Sequence, residues 1–229
     1  MYIIEEYRKN FRQKVNKIFG DSMEIIWSII IGYLLGSINP AAFISKMKQV
    51  DLRDRGTGNL GATNTLLVIG KKYGIMVMIF DIAKSYFAVK IAQILFKEVV
   101  FSGILAGTFS VVGHIYPFYM KFKGGKGLAS FGGTILALDY VLFGILLLIA
   151  MICMFIVNYT VAIPISAAIL FPFMYGMKVR NFWVFVISLA LSGLIIANHI
   201  ANIKRVRRGD DVKMREFVLS HIFGSRNDT

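Results

Sequence analysis

Two short segments combine glycine with basic side chains, and each lies between long apolar runs. The first reads Asp51-Leu-Arg-Asp-Arg-Gly-Thr-Gly-Asn-Leu-Gly-Ala-Thr-Asn64 and the second Lys121-Phe-Lys-Gly-Gly-Lys-Gly127. Glycine lets backbone N–H groups approach an oxyanion closely, and Lys and Arg bring the opposite charge. A helix that starts just after such a loop adds the positive end of its dipole. The chemistry equipped in this way is the binding of a phosphate-bearing ligand at a membrane surface. In the first segment Arg53 is the candidate charge, and Gly56, Gly58, Asn59, Gly61 and Asn64 are the candidate nest. In the second, Lys126 stands between Gly124, Gly125 and Gly127, whereas Lys121 and Lys123 read as anchors reaching for headgroups. The segment lacks the Gly-x4 spacing and the following Ser or Thr of a nucleotide-binding P-loop.

Four further groups carry polar chemistry. His199 and Asn202 are three residues apart on one helical face, near the end of the last apolar run, as substrate-orienting groups would be. His114 ends an earlier run just before Pro117 and reads as structural. Ser37 and Asn39 interrupt the first run at Gly36-Ser-Ile-Asn-Pro40, where Pro40 frees a carbonyl and bends the helix. Asp81 and Lys84 lie inside a run, three apart, and are expected to neutralise each other or to line one cavity. Cys153 sits in an apolar run and excludes an internal disulfide and a cysteine-based metal site. No cofactor or metal is expected.

Of the 229 residues 56% are hydrophobic and only 17% are charged, so the chain is an all-α polytopic membrane protein. The net charge of +13 is gathered in short loops beside apolar spans. That pattern fits the positive-inside rule and contact with anionic lipids, and it argues against nucleic acid. Residues 1–20 read as an interfacial amphipathic helix, residues 25–200 as one membrane domain, and residues 201–229 as a basic cytoplasmic tail. No signal peptide is expected.

Spans are expected over residues 25–44, 74–96, 101–120, 128–138, 140–157, 160–176 and 181–200. Both glycine loops and the tail are placed on the cytoplasmic side, which requires an even number of crossings between residue 127 and the tail. The count becomes about seven, with residue 1 on the far side. Residues 128–138 reach only about 16 Å, so they form a half-helix starting at the second glycine loop.

These segments, in this order, resemble the bacterial acyl-phosphate:glycerol-3-phosphate acyltransferases, the PlsY family, over roughly residues 28–212. The resemblance rests on Gly36-Ser-Ile, the Asp51–Asn64 segment, Gly113-His-Ile-Tyr-Pro117 with the glycine loop to Gly127, and His199-Ile-Ala-Asn-Ile-Lys-Arg205. It implies seven helices, a site facing the cytoplasm, and acyl transfer from acyl phosphate to glycerol 3-phosphate. It also implies that Ser37, Arg53, Lys126, His199 and Asn202 are the functional residues, with the glycine loop holding phosphate. The chain departs from the family pattern at four places. Asn39 precedes Pro40, Thr57 stands for Ser, Ser85 for Gly, and Ala201 for an acidic residue that is structural in the family. Two other readings of the same features are an anion or phosphate transporter and a catalytically silent divergent membrane protein.

Overall fold

The computed structural model describes residue 20, residues 22–209 and residue 213. The amphipathic helix expected over residues 1–20 lies outside the described residues, Gly20 apart, as does most of the tail beyond Gly209. Among the described residues every element is helical: α1 (22–37), α2 (Pro40–Met47), α3 (Ala62–Val68), α4 (Lys71–Leu95), α5 (Ser102–Ile115), a 3-10 turn (Phe118–Met120), α6 (Leu128–Leu138), α7 (Tyr140–Val157), α8 (Ala162–Val179) and α9 (Phe182–Arg208). Among the described residues, four stretches are long and apolar enough to cross a bilayer alone: Ser22–Met47, α7, α8 and α9. α4 has the length, 25 residues, but carries Asp81, Lys84 and Lys90. α5 and α6, with 14 and 11 residues, fall short of the roughly 20 that a crossing needs.

The first span is broken rather than kinked. Asn39 caps α2 by accepting from the Ala42 N–H, and Pro40 takes the first helical position, where its missing N–H costs nothing. α5 ends at Ile115, five residues before the expected end of its span, because the chain turns at Tyr116-Pro117. α3 lies inside the segment read as loop. α9 continues to Arg208, so the first residues of the expected tail are helix.

Small residues let the helices meet backbone to backbone, the usual device where lipid removes the hydrophobic drive for association. A Cβ on Gly32 or Gly36 of α1 would lie 2.2 or 2.0 Å from the carbonyl oxygens of Ala106 and Ser110 on α5. One on Gly133 of α6 would lie 2.1 Å from Ile82 O on α4. Ser85 and Ser110 then share a hydrogen bond of 2.7 Å between α4 and α5. The main core joins α5 to α9 around Phe131, Phe171, Leu191 and Ile195, while Leu148 and Ile156 of α7 face outward, as in a membrane protein.

Two sets of contacts define the two ends of the bundle. Arg53 Nη2 donates to Lys123 O at 3.0 Å, and Lys126 Nζ donates to Asn202 Oδ1. Both glycine loops and the end of α9 therefore share one end. At the other end Lys178 binds Asp139, which also caps α7 through the Val141 and Leu142 N–H groups. Burial raises the Asp139 carboxyl, but the Leu142 N–H and the Lys178 ammonium outweigh it and hold it below the usual carboxylate range. A cavity of about 770 Å³ at that end is lined by Tyr86, Lys90, Asp139 and Lys178 among others, and by none of the expected site residues.

Candidate active site

The first glycine segment is a folded structure with its own small core. Leu52 and Leu60 are buried with Ala41 and Ile44 of α2 and Val77 of α4. Asn64 holds the turn from inside: its amide nitrogen donates to Leu52 O at 2.7 Å and Arg55 O at 3.1 Å, and its oxygen accepts from the Thr57 N–H at 2.7 Å. The residue is fully buried, so its amide orders the loop and does not face a phosphate. Gly56 makes room for it, since a Cβ there would lie 2.3 Å from Asn64 Oδ1. The Gly58 N–H is taken by Arg55 O. Gly61 is the buried N-cap of α3, with the half-buried Asn59 amide against it. Arg53 is exposed, and its guanidinium ties the segment to the second loop through Lys123 O.

The second loop is stapled to the end of α5. Gly124 N–H donates to Ile115 O at 2.9 Å and Gly125 N–H to His114 O at 3.1 Å. The expectation that these two glycines offer backbone donors to a phosphate is therefore corrected: their N–H groups are used within the fold. Their lack of a side chain serves close approach, for a Cβ on Gly124 would overlap His114 O at 2.0 Å. Gly127 caps α6 with φ +86°, a left-handed conformation natural only to glycine, and so starts the half-helix directly after Lys126. What the loop presents is the Lys126 ammonium and the N-terminal dipole of α6.

α9 brings the remaining pair. Asn202 accepts from Lys126, and His199, one turn earlier, is buried with its Nδ1 2.8 Å from Ile195 O. A carbonyl can only accept, so Nδ1 carries the proton and Nε2 is the basic nitrogen of the neutral ring. His199 and Asn202 are three residues apart on α9, and Asn202 meets Lys126. Lys126, His199 and Asn202 thus form one group, joined through Lys123 to Arg53.

Ser37 lies at the end of α1, where the first span breaks. It is buried at the α1–α5 contact, its hydroxyl donating to Tyr33 O at 2.7 Å, and the Cβ position of Gly113 lies 3.0 Å from that hydroxyl. The carbonyl of Ser37 accepts from Tyr119 Oη at 2.8 Å, and the same hydroxyl accepts from the Asn39 N–H at 3.1 Å. Asp81, Lys84 and His114 form a buried cluster under this break, in which Asp81 and Lys84 pair at 2.7 Å. Sequence reasoning missed Tyr119, which satisfies the broken span, and Tyr33, whose hydroxyl donates to Tyr116 O at 2.9 Å. Neither belongs to a polar or glycine-rich pattern that would mark it.

Comparison with known proteins bears on this arrangement. The family model described as glycerol-3-phosphate acyltransferase matches residues 26–209. The chain belongs to the glycerol-3-phosphate acyltransferase family. A glycerol-3-phosphate acyltransferase of Thermosipho melanesiensis is 39% identical over 206 residues, which cover 88% of this chain and 98% of the relative. One from Bacillus subtilis is 32% identical over 194 residues, 84% of this chain and 99% of the relative. Crystal structures of PlsY, an integral membrane glycerol 3-phosphate acyltransferase, superpose with TM-scores of 0.75 in the glycerol 3-phosphate form and 0.74 in the lysophosphatidic acid form. They are 34% and 32% identical, and each match covers 82% of this chain and 94% of the other. The matched family region spans both glycine loops and the Lys126–Asn202 pair.

Proposed function

We propose that this chain transfers an acyl group from acyl phosphate to glycerol 3-phosphate, at the cytoplasmic face of a bacterial plasma membrane. The observation that carries the reading is the Lys126–Asn202 bond, which sets the glycine loop against the end of α9 in a chain of this family. Seven crossings, α4 to α6 included, bring both loops and the basic α9 end to the cytoplasmic side, with residues 25–200 as the catalytic domain.

Acyl phosphate is a mixed anhydride and already activated, so no nucleophilic triad is required. The task is to hold two phosphates close together and to aim a glycerol hydroxyl at the carbonyl. Lys126 and Arg53 offset the phosphate charge, and the α6 N-terminus adds its dipole. The hydroxyl oxygen bonds to the carbonyl carbon, the carbon–phosphate oxygen bond breaks, and the electron pair leaves on phosphate. The hydroxyl proton passes to His199 Nε2 or to the departing phosphate. The products are lysophosphatidic acid and inorganic phosphate, and the acyl tail lies among membrane lipids between helices.

Purified protein is expected to form lysophosphatidic acid from palmitoyl phosphate and glycerol 3-phosphate, and not from palmitoyl-CoA, whose bulky headgroup a short loop cannot envelop. Folded protein that leaves acyl phosphate intact but moves phosphate across liposomes would overturn the reading in favour of transport.

A further inference from the structure

We propose that Asp81, Lys84 and His114 are a positioning cluster that fixes the Lys126 loop against the break in the first span; the inference rests on the acyltransferase reading. Lys84 Nζ lies 2.7 Å from Asp81 Oδ1, 2.7 Å from Ile38 O and 2.9 Å from His114 Nδ1. An ammonium has three donors, and three polar atoms surround it here. The side chains of Lys84 and Asp81 are each 2% exposed and that of His114 is 4% exposed. No part of the cluster is open to a ligand, so its effect on chemistry must pass through what it holds.

It holds two things. The first is Ile38 O. In an unbroken helix this carbonyl would accept from the N–H of residue 42, but the Ala42 N–H is taken by the Asn39 side chain. Lys84 supplies the missing donor, and a carbonyl one residue from Ser37 is satisfied from α4. The second is the glycine loop. Lys84 and Asp81 both meet the His114 ring at Nδ1, so Nε2 is the nitrogen it turns toward the loop. That nitrogen abuts Gly125, where a Cβ would lie 2.2 Å away. The same Cβ would lie 2.8 Å from Leu60 O, which accepts from Asn39 Nδ2 at 3.4 Å. Around Gly125 the span break, the first glycine segment and α5 therefore converge, one residue before Lys126. Asp81 balances the Lys84 charge and contacts His114 Nδ1 at 3.2 Å.

A group that only positions a binding loop contributes to ground state and transition state alike, so its loss raises KM and spares kcat. Removing one charge would strand the other in the core, but removing both leaves no buried charge. The test is Asp81→Asn combined with Lys84→Met, beside His114→Gln and His114→Asn. Thermal unfolding and size exclusion report the fold, and acyl transfer reports kcat and KM for glycerol 3-phosphate. The double variant is expected to stay folded, with KM raised at least ten-fold and kcat within about three-fold. His114→Gln keeps a polar end near the Nε2 position against Gly125 and should hold KM within three-fold of wild type, whereas the shorter His114→Asn should not. A folded double variant with wild-type KM would overturn the proposal, as would equal KM values for the two His114 variants. The latter pair decides the matter if the double variant does not fold. Wild-type turnover in the same assay tests the acyltransferase reading separately. If that fails, calorimetric binding of glycerol 3-phosphate still compares each variant with its parent.

Discussion

Replacing Lys126 tests the site at its centre. The Lys126 ammonium is half-buried at the start of α6 and donates to Asn202 Oδ1. A charge-assisted hydrogen bond in such a setting contributes about 1.5–3 kcal/mol, and each 1.4 kcal/mol is a factor of ten. Lys126→Ala should therefore lower kcat/KM for glycerol 3-phosphate roughly 10–150-fold. Lys121 is the internal control: it lies five residues away in the same loop, it is exposed, and its φ of +53° strains lysine and alanine alike. Lys121→Ala should change kcat/KM by less than about three-fold, the effect of an exposed charge. Asn202→Asp sharpens the argument, because a carboxylate would pair with Lys126 and compete with a substrate phosphate. It should cost as much activity as Lys126→Ala while leaving thermal stability at or above wild type. The assay is lysophosphatidic acid formation from palmitoyl phosphate in detergent, with glycerol 3-phosphate varied. Equal losses at positions 121 and 126 would refute the reasoning and reduce the loop to a membrane anchor, and so would wild-type kinetics in Asn202→Asp.

Two other predictions concern the loop and the far end. Gly125→Ala places a Cβ 2.2 Å from His114 Nε2 and should cost about 1–3 kcal/mol of stability with at least ten-fold of activity, whereas Gly132→Ala, with 3.6 Å to Phe143, should be silent in both thermal unfolding and turnover. Asp139→Asn keeps a helix cap but loses the Lys178 pair, so it should lower the unfolding midpoint at pH 7 by roughly 1–3 °C. A carboxyl held below its ordinary value of about 3.9 gives stability that is present above that pH and lost as pH falls through the folded value. The gap between wild type and variant should therefore close on acidification, and a gap that persists or widens at low pH would contradict the pairing.

The sequence made the long elements legible where punctuation was strong. Residues 128–138 and 140–157 are α6 and α7 at the expected bounds, because Gly127 and Asp139 start the two helices by different physical means. Where apolar character continued through a turn, hydropathy ran past it: Tyr116, Phe118, Tyr119 and Met120 look like span, yet Pro117 and the 3-10 turn have already ended α5. α3 was hidden because seven residues after a glycine run are too short to display a period. In the site, residue types pointed to Arg53, Lys126, His199 and Asn202, which the fold links. Which N–H groups were available was not legible. Gly58, Gly124 and Gly125 give theirs to carbonyls one turn away or on another element, and Asn64 turns its amide inward. Glycine in these loops serves close packing at least as much as ligand contact.

The departures from the family pattern each have a place in the packing of the fold. Thr57 takes part in the loop through its backbone N–H, which any residue but proline supplies. Ser85 has found a partner in Ser110, so the larger side chain adds a hydrogen bond where glycine would add none. Asn39 caps α2 and reaches Leu60 O, joining the broken span to the first glycine segment. Ala201 is the change that would matter most if an acidic group there faced the site. It is exposed, while its neighbour Asn202 turns to Lys126. A glutamate at 201 would stand three and four residues before Lys204 and Arg205 on the same helix. Such pairs stabilise a helix by about 0.2–0.5 kcal/mol each. Its absence removes surface pairing from the end of α9 and leaves the Lys126–Asn202 bond where it is. On this geometry the alanine lowers the stability of the α9 end by a few tenths of a kcal/mol, while Lys126–Asn202 and His199–Ile195 stay in contact.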